Sequence, residues 1–208
     1  MSATATATAT VDRFQHEIRT LMKERIGVAA WVGAFVFPWY FFEDQALCPD
    51  DWQRVYALRL ICTMTCILAA ALNHTKLARN HTFVFVIMVT AAVSVLKSFT
   101  TALVVDDIQA LYFGGHVLIL CGILAFLPLN WWQALLTGGT VLLGYAAPTL
   151  LFADPVEHVP FQIQVGLMTA VWLQLTFGCH LNYNVRQREF EFRNKLHQVR
   201  VRADDYGF

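Results

Sequence analysis

The chain has 208 residues, 57% hydrophobic and 14% charged, and its fifteen Lys and Arg balance fifteen Asp and Glu. Soluble domains carry about a quarter charged residues, so this composition speaks against a water-soluble single domain, and nucleic acid is not an expected partner. Cys62, Cys66, Cys121 and Cys179 lie in apolar segments, where a thiol acts as a small hydrophobe; with Cys48 they form neither a disulfide framework nor a zinc spacing.

From Met1 to Asp12 the chain is an Ala-Thr repeat with no charged n-region, apolar core or cleavage site, and it reads as a disordered tail rather than a secretory signal. The next segment sets Phe14, Ile18, Leu21, Met22 and Ile26 on one helical face among basic residues, which suits a helix lying on the membrane surface. A helix that simply packs on the rest of the protein would show the same pattern. Residues 1–26 are therefore taken as a tail and amphipathic helix.

Six apolar stretches follow, at 27–43, 56–74, 82–105, 109–128, 132–153 and 160–182, each near the roughly 20 residues that a spanning helix needs. They are apolar on all sides, as in VFVIMVTAAVSVL, where a helix on the surface of a soluble bundle would keep a polar face. The expected fold class is all-α, a six-transmembrane-helix bundle over 27–182. Pro38 is expected to kink the first span, and Trp131 and Trp132 to anchor an interfacial turn.

Twelve of the fifteen Lys and Arg fall before the first span, between spans two and three, or after the last. Glu43, Asp44, Asp50, Asp51, Asp106, Asp107, Asp154 and Glu157 fall in the opposite loops. Short basic connections stay cytoplasmic, which places both termini on the cytoplasmic side of the membrane. Beyond the last span, residues 183–208 read as a cytoplasmic stalk helix with Val185, Phe192 and Val199 at heptad spacing, a stripe suited to a homodimer. A short amphipathic tail is the plainer alternative.

No glycine-rich P-loop, no nucleophile elbow and no paired-aspartate nucleotide site occurs, so the chain is not read as an enzyme. The stalk reaches Phe208 with nothing to hold, so a catalytic output domain is expected in a longer protein. An inverted repeat, as in a transporter, is not evident.

The segment VAAWVGAFVFPWYFFEDQALCPDDWQRVYALRLICT resembles the first hairpin of the six-helix sensor domain of histidine kinases that detect hydroxyketone autoinducers. The same arrangement is found in membrane anchors of bacterial class III adenylyl cyclases. The resemblance is carried by Gly33, Phe37-Pro38 with the aromatics after it, an acidic outer loop and Arg59, and extends loosely to HLNYNVRQ near the end of the last span. It implies a sensory anchor of a cyclase or kinase, either a receptor for a lipophilic signal or a redox-responsive haem protein.

The histidines bear on that choice. His74, His81 and His180 fall near the cytoplasmic face, while His116 and His158 fall on the outer side. A b-type haem needs two imidazoles from facing helices at matching depth. The expected ligands are His116 with His158 for an outer haem, and His180 with His74, or with His81 in its place, for an inner one. Gly115 and Gly178 precede histidines and would let a porphyrin approach, and Arg59 and Lys97 would face propionates. Four of the five histidines also sit where interfacial polar residues are common, and Lys97 has Asp106 and Asp107 as alternative partners.

The expected function is a membrane sensory anchor holding one or two haem b groups and responding to redox state. The alternative is a haem-free receptor for a small lipophilic signal such as a ketone or a quinone. A purely structural dimerising anchor is the third class.

Overall fold

The computed structural model describes residues 3–47, 49, 52–102, 109–152 and 158–205, and all secondary structure among them is helical. In chain order the helices are α1 (Ala3–Trp39), α2 (Phe41–Leu47), α3 (Trp52–Leu72), α4 (Lys76–Asn80), α5 (Thr82–Ala102), α6 (Gln109–Phe126), α7 (Trp131–Phe152) and α8 (His158–Asp205). Four apolar segments, Thr10–Ala46, Trp52–Leu72, Thr82–Thr100 and Trp131–Leu151, are long and apolar enough to cross a membrane. In α6 the described apolar stretch Phe113–Phe126 is shorter, and α8 interleaves Gln162, Gln164 and Gln174 with its apolar residues.

The amino-terminal region departs from expectation. The Ala-Thr repeat, read as a disordered tail, is already helical at Ala3, and the amphipathic segment runs without a break into the first apolar stretch. Alanine is the best helix former, and extending an existing helix costs far less than nucleating one. The amphipathic face does not lie free for a membrane surface: Phe14, Ile18, Met22 and Ile26 are buried in the main hydrophobic cluster of the bundle. The first span also ends sooner than 43. One residue after Pro38 the helix stops at Trp39, and the chain turns at Tyr40 into α2.

Helix α5 is the hub, packing on α3, α7, α6 and α1. On one side α5, α6, α7 and α8 close a four-helix group, and on the other α1 and α3 form a pair. Without a hydrophobic force between lipid-immersed helices, close packing depends on small residues. Gly144 of α7 shows this: a Cβ there would lie 2.7 Å from Ser94 Oγ and 2.9 Å from Ser94 Cβ. The α5/α7 seam is consequently dressed with hydroxyl bonds, Ser94 Oγ donating to Val141 O at 3.0 Å and Ser98 Oγ to Gly144 O at 2.6 Å.

The end of the bundle that carries the basic connections is tied by polar side chains. Asn73 Nδ2 donates to Lys23 O at 2.9 Å, joining α3 to α1. Arg25 reaches the last carbonyl of α6, Phe126 O, at 2.6 Å, a cation at a helix C-terminus. Helix α8 continues well past the bundle. There Phe14 meets Tyr183 edgewise and Phe190 at a tilt, at 5.5 and 5.3 Å between ring centres, and Arg193 bridges Glu17 at 2.9 Å.

Candidate functional site

The predicted site residues fall into three separate places. His116, fully buried, sits between α5 and α7 with Nε2 2.9 Å from Ser98 Oγ and 3.3 Å from Ser94 O. A carbonyl oxygen only accepts, so a neutral imidazole here carries its proton on Nε2. Nδ1 is then a bare acceptor, buried and without a hydrogen-bond partner. The ring packs on Tyr145 at 4.9 Å, whose hydroxyl donates to Gln164 Oε1 of α8. A polar chain thus crosses the four-helix group from α5 through α6 and α7 to α8.

The other histidines do not join it. His74 and His81 are exposed at the opposite end of the bundle, and half-buried His180 is 3.0 Å from Asn184 Nδ2 of its own helix. Helix α3, which His74 follows, packs on α1, α2 and α5 rather than on α8. His158 is the first residue of α8, and its side chain lies outside the described residues. Among the described residues no three His, Cys, Asp or Glu side chains gather as a metal site.

The residues expected to face propionates do other things. Arg59, 2% exposed, holds Asp44 through Nε and Nη2 at 2.5 and 2.6 Å and lies 4.4 Å from the ring centre of Tyr40. Lys97 is buried against Gly115, whose missing Cβ would sit 2.5 Å from Lys97 Cε. Asp106 and Asp107, its expected alternative partners, lie outside the described residues. Gly178 has nothing within 4 Å of its Cβ direction. Among the expected ligands, His116 Nδ1 is a buried imidazole nitrogen without a hydrogen-bond partner.

Sequence reasoning missed a groove of about 330 Å³ between α1 and α6, floored by α5. Antiparallel helices place Tyr40, Lys97 and Gly115 at one end and Ile26, Val89 and Ile123 at the other. Its walls are aliphatic, and the exposed side chains of Val32, Val36 and Leu118 form its rim. The opening therefore faces whatever surrounds the apolar helices. Gly115 is the signal that was legible: its lack of a Cβ admits the Lys97 stem.

Apolar helices packed through small residues, a buried polar chain and a lateral groove make up a helical membrane domain. The chain belongs to the MASE8 family, a family of membrane-associated sensory domains, whose model matches residues 44–197. No curated protein and no solved structure matches it.

Proposed function

We propose that the chain is the six-span sensory anchor of a bacterial signalling enzyme, a cyclase or a kinase, and that it senses a small lipophilic molecule in the groove between α1 and α6. The observation that carries this is the groove itself: aliphatic walls, a rim of exposed apolar side chains, and one buried ammonium group at an end. Ligand sites are largely apolar clefts with a few fixed polar groups, and this volume is at the lower end of their range. A ligand entering from the bilayer would leave its chain among Ile26, Val89 and Ile123 and turn an oxygen acceptor toward Lys97.

All six apolar helices span in this proposal, α6 and α8 included, with both termini on the cytoplasmic side of the inner membrane. The charge asymmetry of the connections supports that orientation. Val185, Phe192 and Val199, each more than half exposed on α8, supply the heptad stripe for a homodimer. A small shift of α1 against α6 would pass through the α1/α8 contact to that stalk.

The test is thermal stability of the protein in maltoside micelles against a homologous series of aliphatic hydroxyketones. A ligand at a hundredfold excess over Kd stabilises by about 2.7 kcal/mol, and Gly115→Leu, which fills the groove, should abolish the gain. No stabilisation by any chain length would reject the groove as the sensing site.

A second reading has one observation in its favour, the buried Nδ1 of His116 without a partner. A single b-type haem held by His116 and His158 would supply one-electron redox chemistry. A reduced-minus-oxidised visible spectrum decides it, since a lipophile receptor is colourless.

A further inference from the structure

A second cavity, of about 240 Å³, lies at the other end of the bundle among the amino-terminal half of α1, the start of α5, the α6/α7 turn and the exit of α8. Its polar lining comes from Gln15, Arg19, Asn80, His81, Asn130, Gln133 and Tyr183, and its floor from Ile18, Met22 and Phe83. No carboxylate lines it.

The hydrogen bonds already made there leave donors facing inward. Asn130 and Gln133 form a capping box at the start of α7, each side-chain oxygen accepting a backbone N–H, at 2.9 and 3.1 Å. Because backbone amides are the donors, both oxygens are committed and both side-chain NH2 groups remain to donate. Gln15 Nε2 donates to Tyr183 Oη at 3.1 Å, so the phenol proton is also left to donate. Arg19 adds a fixed cation with a planar array of N–H groups. Glu17, on α1 between Gln15 and Arg19, is bridged to Arg193. A concave site rich in donors, with a guanidinium and no acid, is complementary to a tetrahedral oxyanion.

We infer that this cavity is a phosphate-class oxyanion site joining α1, α7 and α8, taking either a phospholipid headgroup or a soluble phosphate. Its height favours the first source as readily as its polarity permits the second. Trp131 and Trp132, exposed immediately after Asn130, mark the level at which indoles collect in a bilayer, the headgroup region. An occupant held by Arg19 and Tyr183 together would fasten α8 to α1 where α8 leaves the bundle. The site is independent of the α1/α6 groove, and neither inference needs the other.

The test uses the full chain in maltoside micelles, which contain no phosphate. Inorganic phosphate is titrated against chloride at matched ionic strength, and short-chain phosphatidylglycerol is titrated separately, with the thermal midpoint as readout. Stabilisation by inorganic phosphate assigns a soluble ligand. Stabilisation by phosphatidylglycerol alone assigns a headgroup. In either case Arg19→Gln should raise the half-saturating concentration about tenfold or more, the loss expected for a charged hydrogen bond. Tyr183→Phe keeps the ring against Phe14 while removing the hydroxyl, and should weaken binding in the same direction should Arg19→Gln fold poorly. The site is refuted by a wild type that neither probe stabilises, or by stabilisation that both variants retain unchanged.

Discussion

Arg59 and Asp44 form a two-pronged ion pair, at 2.5 and 2.6 Å, with their side chains 3% and 0% exposed. It closes the hairpin made by the end of α1, α2 and α3 at the end of the bundle where Tyr40 and Lys97 line the groove. The guanidinium also faces the Tyr40 ring, so a single cation organises an acid from α2 and an aromatic from the turn. Tyr40 lines the groove as well, which makes the pair a brace for one end of it.

Removing one partner of a buried ion pair leaves the other charge uncompensated, at a cost of about 3–5 kcal/mol. Asp44→Ala should lose about that much in denaturant unfolding of the micellar protein. Replacing both partners, as Asp44→Leu with Arg59→Met, should recover most of the loss. A single variant as stable as the double would show that the pair does not brace the hairpin.

The α5/α7 seam gives a second expectation. At Gly144 a methyl group would meet Ser94 Oγ and Cβ at less than 3.0 Å, and Ser94 is held in place by its bond to Val141 O. Neither neighbour is the far end of a flexible chain. Gly144→Ala should therefore destabilise by about 1–3 kcal/mol, the usual cost of overpacking. Gly114→Ala, with nothing within 4 Å, should not. The comparison is read from thermal midpoints of the two variants side by side.

Depth along each helix was legible in the sequence, and angle around it was not. The six apolar stretches all reappear as helices, because hydropathy reports length directly. Which histidines face one another depends on which helices are neighbours, and that is fixed by small residues such as Gly144 meeting Ser94. His74 and His180 are at similar depth in the chain, yet α3 and α8 do not pack together. Arg59 was noticed as a cation, but its partner Asp44 looked like one acid among several in an outer loop. The second, polar cavity was hidden most completely, because its polar residues come from four separate stretches of chain.

Within the buried polar chain, the two ends of one hydrogen bond should behave unequally. Ser98→Ala takes away the nearer acceptor of His116 Nε2–H and the donor to Gly144 O, leaving Nε2 only Ser94 O at 3.3 Å. Stranding buried polar groups costs about 1–3 kcal/mol. His116→Phe discards both ring nitrogens, including the partnerless Nδ1, while Ser98 keeps its bond to Gly144. That variant should stay within about 1 kcal/mol of wild type. The reverse order of stabilities in denaturant unfolding would mean that the His116 ring is oriented differently.

The contact between α1 and α8 rests on aromatic packing more than on charge. Phe14 and Phe190 are 7% and 8% exposed, whereas the Arg193 and Glu17 side chains are 63% and 38% exposed. Exposed ion pairs contribute little because water and salt screen them. Truncating a buried aromatic costs about 3–5 kcal/mol through lost burial and the cavity left behind. Phe14→Ala should therefore lower stability by about that amount and loosen α8 where it leaves the bundle, whereas Glu17→Gln should be nearly neutral. Hydrogen exchange of the amides around residues 183–190 checks both at once: exchange should rise sharply in Phe14→Ala and stay at the wild-type level in Glu17→Gln. Fast exchange already present in the wild type would mean that α8 leaves the bundle unfastened.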